Sequence, residues 1–454
     1  MNAANNRRME IPAIRGCRHF FGLILAFSAL GPFLLAAANG KDIYLAVRQD
    51  GHRGSGSAQD PFDASTPDKY DQLLATYSQN TVFHYAAGTY QTRGWHYRTR
   101  KSAGTNCKHY GSGMDQTVIR LVGANDLTQD GVIFGSDYDA TADGFEVQSL
   151  TLDCNASGNP RFTNGLGATA AISTNGSNIL IRGIKVIGFG TSRVGVECFV
   201  VFIYPGPALN WRSFNNVILD HCVFTGPAQG NKDGLSCVVI GAAPSARIEG
   251  AIVNCRFVNL KSDFSYSHAL RAPLCEGNEV TGCDNGFYLE PDDRQAGTWV
   301  IRKNRFHDVT TAVMVKWHPT GSLNTIQFED NDVVLKADPQ QTPVAFAVDD
   351  TGLKPGDQKP TIAKVILRNN RIRVAEMSKE QVARAAGLVL ISSEATYSVG
   401  DLVLENNLFS LPAGREMIIS PSPVVRRFIQ RGNVDSSQGE VRVRDVHGNP
   451  VNPL

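Results

Sequence analysis

Charge is sparse in this sequence and nearly cancels. The 454 residues carry 44 Lys and Arg against 43 Asp and Glu, a formal net charge of +1. Charged residues make up 19% of the chain, below the usual quarter. There is no basic run, which argues against a nucleic-acid partner that would need phosphate contacts. Cys-x-x-Cys spacing is absent too, so no zinc framework of that kind is expected. Apolar content of 42% with almost no net charge excludes a disordered chain.

One apolar run is long enough to notice. Arg7, Arg8, Arg15 and Arg18 precede a stretch from Phe20 to Leu35, and Ala36, Ala37 and Ala38 follow. This is the layout of a secretory signal peptide, expected over residues 1–38, and it implies a secreted or periplasmic protein. Gly31 and Pro32 interrupt the run, and no later segment could span a bilayer once the leader is removed. Eight of the nine cysteines lie beyond the leader. In an exported protein that number permits disulfides, although small buried thiols explain them equally well.

The remaining chain repeats. Segments such as Asn216–Phe224, Thr298–Phe306, Thr325–Val333, Lys364–Ile372 and Asp401–Phe409 share one pattern: a β-rich stretch, an Asn or substitute, any residue, then a large apolar residue. The shared turn position falls at Leu150, Ile184, Cys222, Cys255, Asn278, Asn304, Asn331, Asn370, Asn407 and Asn433. The shorter intervals, 23 to 27 residues, fit one bare coil of a β-solenoid; the longer ones fit a coil carrying a loop. Asn tolerates the left-handed bend between two strands, and stacked Asn amides can form a ladder. A second strand set, about twelve residues after the Asn, includes Phe287–Glu290, Val313–Lys316 and Phe346–Asp349. Its alternate residues Phe287, Leu289, Val313, Val315, Phe346 and Val348 are apolar and predicted to point inward. Thr66 and Pro67 before Asp68–Tyr77 predict a capped helix that covers the first coil. Phe83–Tyr90 reads as a strand and turn, and residues 94–113 read as a loop.

With the Asn turns, the coil spacing and Gly88-Thr89-Tyr90, the chain resembles the pectin-lyase-like superfamily over roughly residues 42–435. The resemblance implies an all-β, right-handed single-stranded parallel β-helix with three strands per coil and about ten coils. The expected organisation is a cap and first coils over 39–144, the β-helix over 145–435 and a tail over 436–454. It leaves chemistry open, because fold does not determine function. Leu219-Asp220-His221-Cys222 resembles the Trp-Ile-Asp-His segment of pectate lyases. Arg271-Ala272-Pro273 resembles the start of their Arg-x-Pro-x-x-Arg motif, but Glu276 replaces its second Arg.

Two charge columns follow from stacking. Glu276, Arg302, Glu329, Arg368, Glu405 and Arg431, each two residues before a turn position, alternate in sign and read as a structural ladder. Arg271, Glu290, Lys316 and Asp349 form the second column. It also alternates, so a purely structural role would produce it. By analogy with the superfamily, however, it lies on the strand whose outer face carries the groove. The expected catalytic candidates are therefore Arg271, Lys316, Glu290 and Asp349, with His268 and His318 as proton carriers. Tyr288, Met314, Lys232 and Asp233 are candidates for substrate contact, and Glu290, Asp233 and Asp292 are the oxygen donors for Ca²⁺ if a cation takes part. No other cofactor is expected. These groups suit a lyase or hydrolase of acidic glycans, with a polysaccharide as partner and a monomer favoured; a non-catalytic glycan-binding or adhesin-like protein is the alternative.

Overall fold

The computed structural model describes residues 40–94, 96–97, 104–123, 131–136, 141–159, 168–191, 197–203, 214–226, 235–240, 248–260, 274–289, 297–316, 322–336, 343–349, 361–375, 388–391, 398–410, 417–418, 425–436, 439–441, 443–444 and 450. Statements about structure below refer to these residues.

Stacking of short strands builds the fold. One coil runs from Leu274–Glu276 through Glu279–Thr281 to Asn285–Leu289, and the next from Thr298–Arg302 through Arg305–Val309 to Thr311–Lys316. Each strand pairs in parallel with its counterpart one coil on, as in Glu276 with Arg302, Val280 with Phe306 and Leu289 with Val315. The first strands of the coils make a fourteen-stranded sheet and the second strands a thirteen-stranded sheet. Third strands form a five-stranded block, which includes Ala168–Thr174 and Glu197–Ile203, and a four-stranded block from Asn285–Leu289 to Val389–Ile391. The parallel β-helix with three strands per coil expected from the sequence is thus present.

The interior is a continuous apolar column, because alternation aims every second side chain inward. Phe287, Leu289, Val313, Val315, Phe346 and Val348 are all buried, as their alternation predicts. Phe224 stacks on Phe257, and a chain of ring contacts continues through Phe287, Phe306 and Phe328 to Phe346. At the first coil the helix Pro67–Thr76 buries Tyr70 and Leu74, with Thr66 capping its start by accepting from the Lys69 amide.

The bend between first and second sheets carries the Asn ladder. Asn278, Asn304, Asn331, Asn370, Asn407 and Asn433 are all buried. The backbone N–H and Nδ2 of Asn331 both donate to Asn370 Oδ1 at 3.0 Å, and Nδ2 also donates to the Ile301 carbonyl. Asn304 makes the same bonds one coil earlier, and Asn407 repeats them onto Asn433. The left-handed residue of the bend, however, is not the ladder Asn. It is the residue before it: Gly277, Lys303, Asp330, Asn369, Asn406 and Gly432 have φ between 53° and 69°. Asn holds the ladder position for its buried amide, which can donate to one coil and accept from another.

One other expectation changes. Residues 94–113 are not all loop, since Lys108–Tyr110 is a strand of the first sheet, paired with Val82–His84 and Glu146–Gln148. Its flanking polar residues masked an inward position at His109, which is fully buried. Cys222 and Cys255 adjoin in the stack, with the Cys222 N–H directed at the Cys255 sulfur, but no disulfide joins described cysteines.

Replacing Asn331 with Ala removes the acceptor for two Asn304 donors inside the core. The expected loss is about 3 kcal/mol by denaturant unfolding, and Asn331→Asp, nearly the same size, is expected to be no better. Near-native stability of Asn331→Asp would show that shape, not the amide bonds, holds the position.

Candidate functional site

The groove strand expected from the sequence is the four-stranded block of the third sheet. Its register pairs Tyr288 with Met314 and Met314 with Ala347, and pairs position 316 with position 349. Lys316 and Asp349 therefore lie on neighbouring rungs, about 4.8 Å apart along the stack. Glu290 directly follows Leu289, which pairs with Val315. Glu290, Arg271, His268, His318, Lys232, Asp233 and Asp292 fall outside the described residues. Phe287 and Leu289 point into the core, so Tyr288, Met314 and Ala347 form the outer column between. Tyr288 and Ala347 are buried and Met314 is half-buried, so this column is not an open aromatic wall.

Among the described residues no three His, Cys, Asp or Glu side chains converge as a metal site. The three carboxylates expected to bind Ca²⁺ are outside the described set.

The Asp220-His221 segment lies elsewhere. Asp220 ends a first-sheet strand and His221 takes the left-handed position of the bend. The His221 ring hydrogen-bonds Asp220 through Nδ1, and Arg182 Nε donates to the other Asp220 oxygen at 2.8 Å. Asp220 thus belongs to the same outward column of the first sheet, in register with Arg182, and Val253 separates it from the charge ladder that begins at Glu276. His221 is exposed beside it.

No family model matches the chain, and no curated protein matches it in sequence. Solved structures do resemble it. An endo-xylogalacturonan hydrolase from Aspergillus tubingensis is 11% identical, with 86% of this chain and 99% of that one covered and a TM-score of 0.49. The surface adhesin PfbA of Streptococcus pneumoniae is 13% identical, with 90% and 100% covered and a TM-score of 0.48. The A-module of a mannuronan C-5 epimerase from Azotobacter vinelandii is 12% identical, with 82% and 94% covered and a TM-score of 0.47. The likeness is one of fold and assigns no residue a role.

A second titratable cluster, which no motif announces, is buried under the capping helix. Tyr85 and Tyr97 hydroxyls hydrogen-bond the two ring nitrogens of His109 at 2.7 and 2.6 Å, and Tyr70 reaches Tyr85 at 3.1 Å. Nearby, the Thr92 hydroxyl donates to Asp71 at 2.7 Å and lies 2.7 Å from His96 Nε2. Thr92 sits between acid and imidazole, so this is not the order of a nucleophilic triad, in which the imidazole is central. Complete burial of His109 and near-complete burial of His96 make the cluster core packing. The signal was present only in strand alternation, which needs Lys108–Tyr110 to be recognised as a strand.

Burial pushes His96 down to about 3 and His109 well below its ordinary value, while burial raises Asp71 to about 6. Both histidines stay neutral when folded but take a proton when unfolded near pH 6.5. Their contribution is therefore complete above that pH and is lost as pH falls towards 3. Asp71 acts oppositely, favouring the fold below its unfolded value and losing that contribution as pH rises through about 6. With two histidines against one carboxylate, the melting temperature is expected to fall by several degrees between pH 7 and 5. A midpoint unchanged over that range would contradict the assignment of neutral buried imidazoles.

Proposed function

We propose that this is an exported polysaccharide-active protein that cleaves acidic glycans, by elimination in the first instance. The observation that carries the reading is the register of Lys316 with Asp349 on the third sheet of a parallel β-helix. Stacking brings a cation and a carboxylate, distant in sequence, onto adjacent rungs. Arg271 and Glu290 extend the same column in the sequence.

A polyuronate carries a carboxylate on every sugar. In elimination a base takes the C5 proton, the C5–H electron pair becomes the C4–C5 double bond, and the C4–O bond breaks. The departing glycosidic oxygen takes a proton. A cation at Lys316 or Arg271 neutralises the uronate carboxylate, whose charge grows as C5 loses its proton. Either serves as base where its surroundings favour the neutral form. Glu290 with Asp349 is the carboxylate pair that hydrolysis would use instead. The structural neighbours include a hydrolase, an epimerase and an adhesin, which agrees with a glycan-related role and selects none of these activities. Export rests on the leader pattern of residues 1–38.

A non-catalytic glycan-binding role is the second reading. It is favoured by the covered outer column, in which Tyr288, Met314 and Ala347 add no further carboxylate or cation for catalysis, whereas charges at positions 316 and 349 suffice to hold a polyuronate.

The test is incubation with polygalacturonate and alginate, with and without Ca²⁺, followed at roughly 235 nm, where the unsaturated uronide of elimination absorbs. Reducing ends are assayed in parallel to detect hydrolysis. Lys316→Ala and Arg271→Ala are each expected to lower the rate about 100-fold or more with the fold intact. Binding without turnover selects the second reading, and neither binding nor turnover on any acidic glycan removes both.

A further inference from the structure

The charge ladder of the first sheet has a symmetry that its structural role does not require. Its register is continuous: Glu276, Arg302, Glu329, Arg368, Glu405 and Arg431 succeed one another on six adjacent rungs. Arg302 pairs with Glu276 at 2.7 Å and Arg368 with Glu405 at 2.9 Å, and the arginines remain about 40% exposed. Six alternating charges reverse sign when read backwards. Beside the ladder, two residues back along each strand, lies an outward column of Leu274, Val300, Gln327, Ile366, Val403 and Ile429. It is apolar on five of six rungs, although it lies on the outer face. Ile366 and Val403 are recessed, 5% and 3% exposed, and the others are half-buried. Beyond them, Lys364, Asp401 and Arg427 form a second charged edge.

We propose that this face docks a second copy of the chain, antiparallel, about a two-fold axis that runs along the strand direction between Glu329 and Arg368. That axis sets Glu276 opposite the other copy's Arg431, Arg302 opposite Glu405, and Glu329 opposite Arg368, each twice. In the neighbouring column it sets Leu274 on Ile429, Val300 on Val403 and Gln327 on Ile366, so two of the three distinct contacts join apolar side chains. An isologous interface must be complementary to itself, and the even, alternating ladder is.

The alternative two-fold axis, along the solenoid, is disfavoured by charge. Lys364 and Arg368 share a strand and a sign, as do Asp401 with Glu405 and Arg427 with Arg431. Packing with the copies parallel would lay each edge on a like-charged one. Six rungs at about 4.8 Å and three outward columns bury about 1,100 Å² in total, at the lower end of specific interfaces. The dimer is therefore a weak one, with a dissociation constant in the micromolar range, and departs from the monomer favoured by the sequence. It is independent of the third-sheet site.

Sedimentation velocity on the purified protein from about 1 to 200 μM tests this. Concentration-dependent dimer mass is expected. Val300→Asp is expected to abolish it, and Glu329→Arg to weaken it about tenfold or more, because the altered contact occurs twice. The double exchange Glu329→Arg with Arg368→Glu restores every pair between copies but leaves like charges adjacent within the chain. It is expected to recover the dimer, whereas a mere stability effect would worsen. Circular dichroism confirms that each variant is folded. A monomer throughout the range, or a dimer indifferent to Val300→Asp and Glu329→Arg, overturns the proposal.

Discussion

The buried amide ladder at the first bend is the constraint on which the rest of this structure depends. Parallel stacking places each residue over its equivalent one coil away, so a buried polar group there must bond to a copy of itself. A carboxylate has only acceptors when charged and an ammonium only donors; an amide has both. From Asn304 through Asn433 the Oδ1 of each coil accepts from the backbone and side chain of the coil before, and Asn278 Oδ1 accepts from the Cys255 N–H. The Nδ2 group also closes onto a strand carbonyl, as Asn407 does onto Leu367. A slip by one residue would leave these groups unpaired in the core, so the ladder locks register along the stack.

With register locked, the surface becomes a set of columns. Identical charges would repel at each rung, and the first-sheet ladder avoids this by alternation. The same rule makes the ladder antisymmetric end to end, which is why a device for stacking also suits pairing with a second copy. The third sheet follows the same geometry with a different consequence. Its outer column near Tyr288 is largely covered, while Lys316 and Asp349 take their places at the strand ends, where the connecting segments begin. The solenoid thus supplies fixed spacing, and its insertions are where chemistry can vary without disturbing the core.

Much of this was legible in the residues. Coil spacing, the Asn positions, inward Phe287 and Val313, and the charge ladder all follow from local patterns repeated at intervals of 23 to 39 residues. The capping helix was legible from Thr66 and Pro67. The bend chemistry was only half legible: Asn suits both a left-handed turn and a buried amide bond, and spacing does not separate the two. The neighbours with positive φ are chemically mixed, Gly, Lys, Asp and Asn, so no composition marks that position.

The sequence by itself determined the repeat and the columns, because both rest on period and alternation, which are properties of a single strand and its turn. Only the tertiary structure decided which outward positions are covered and which polar residues enter the core. His109 sits between two polar neighbours on a three-residue strand too short to show a period, and its burial depends on Tyr85 and Tyr97 from the coil before and on Phe134 from the third strand of its own coil. Burial of that kind belongs to the assembled stack, since it is set by what neighbouring coils place against a residue and not by the residues adjacent to it in the chain.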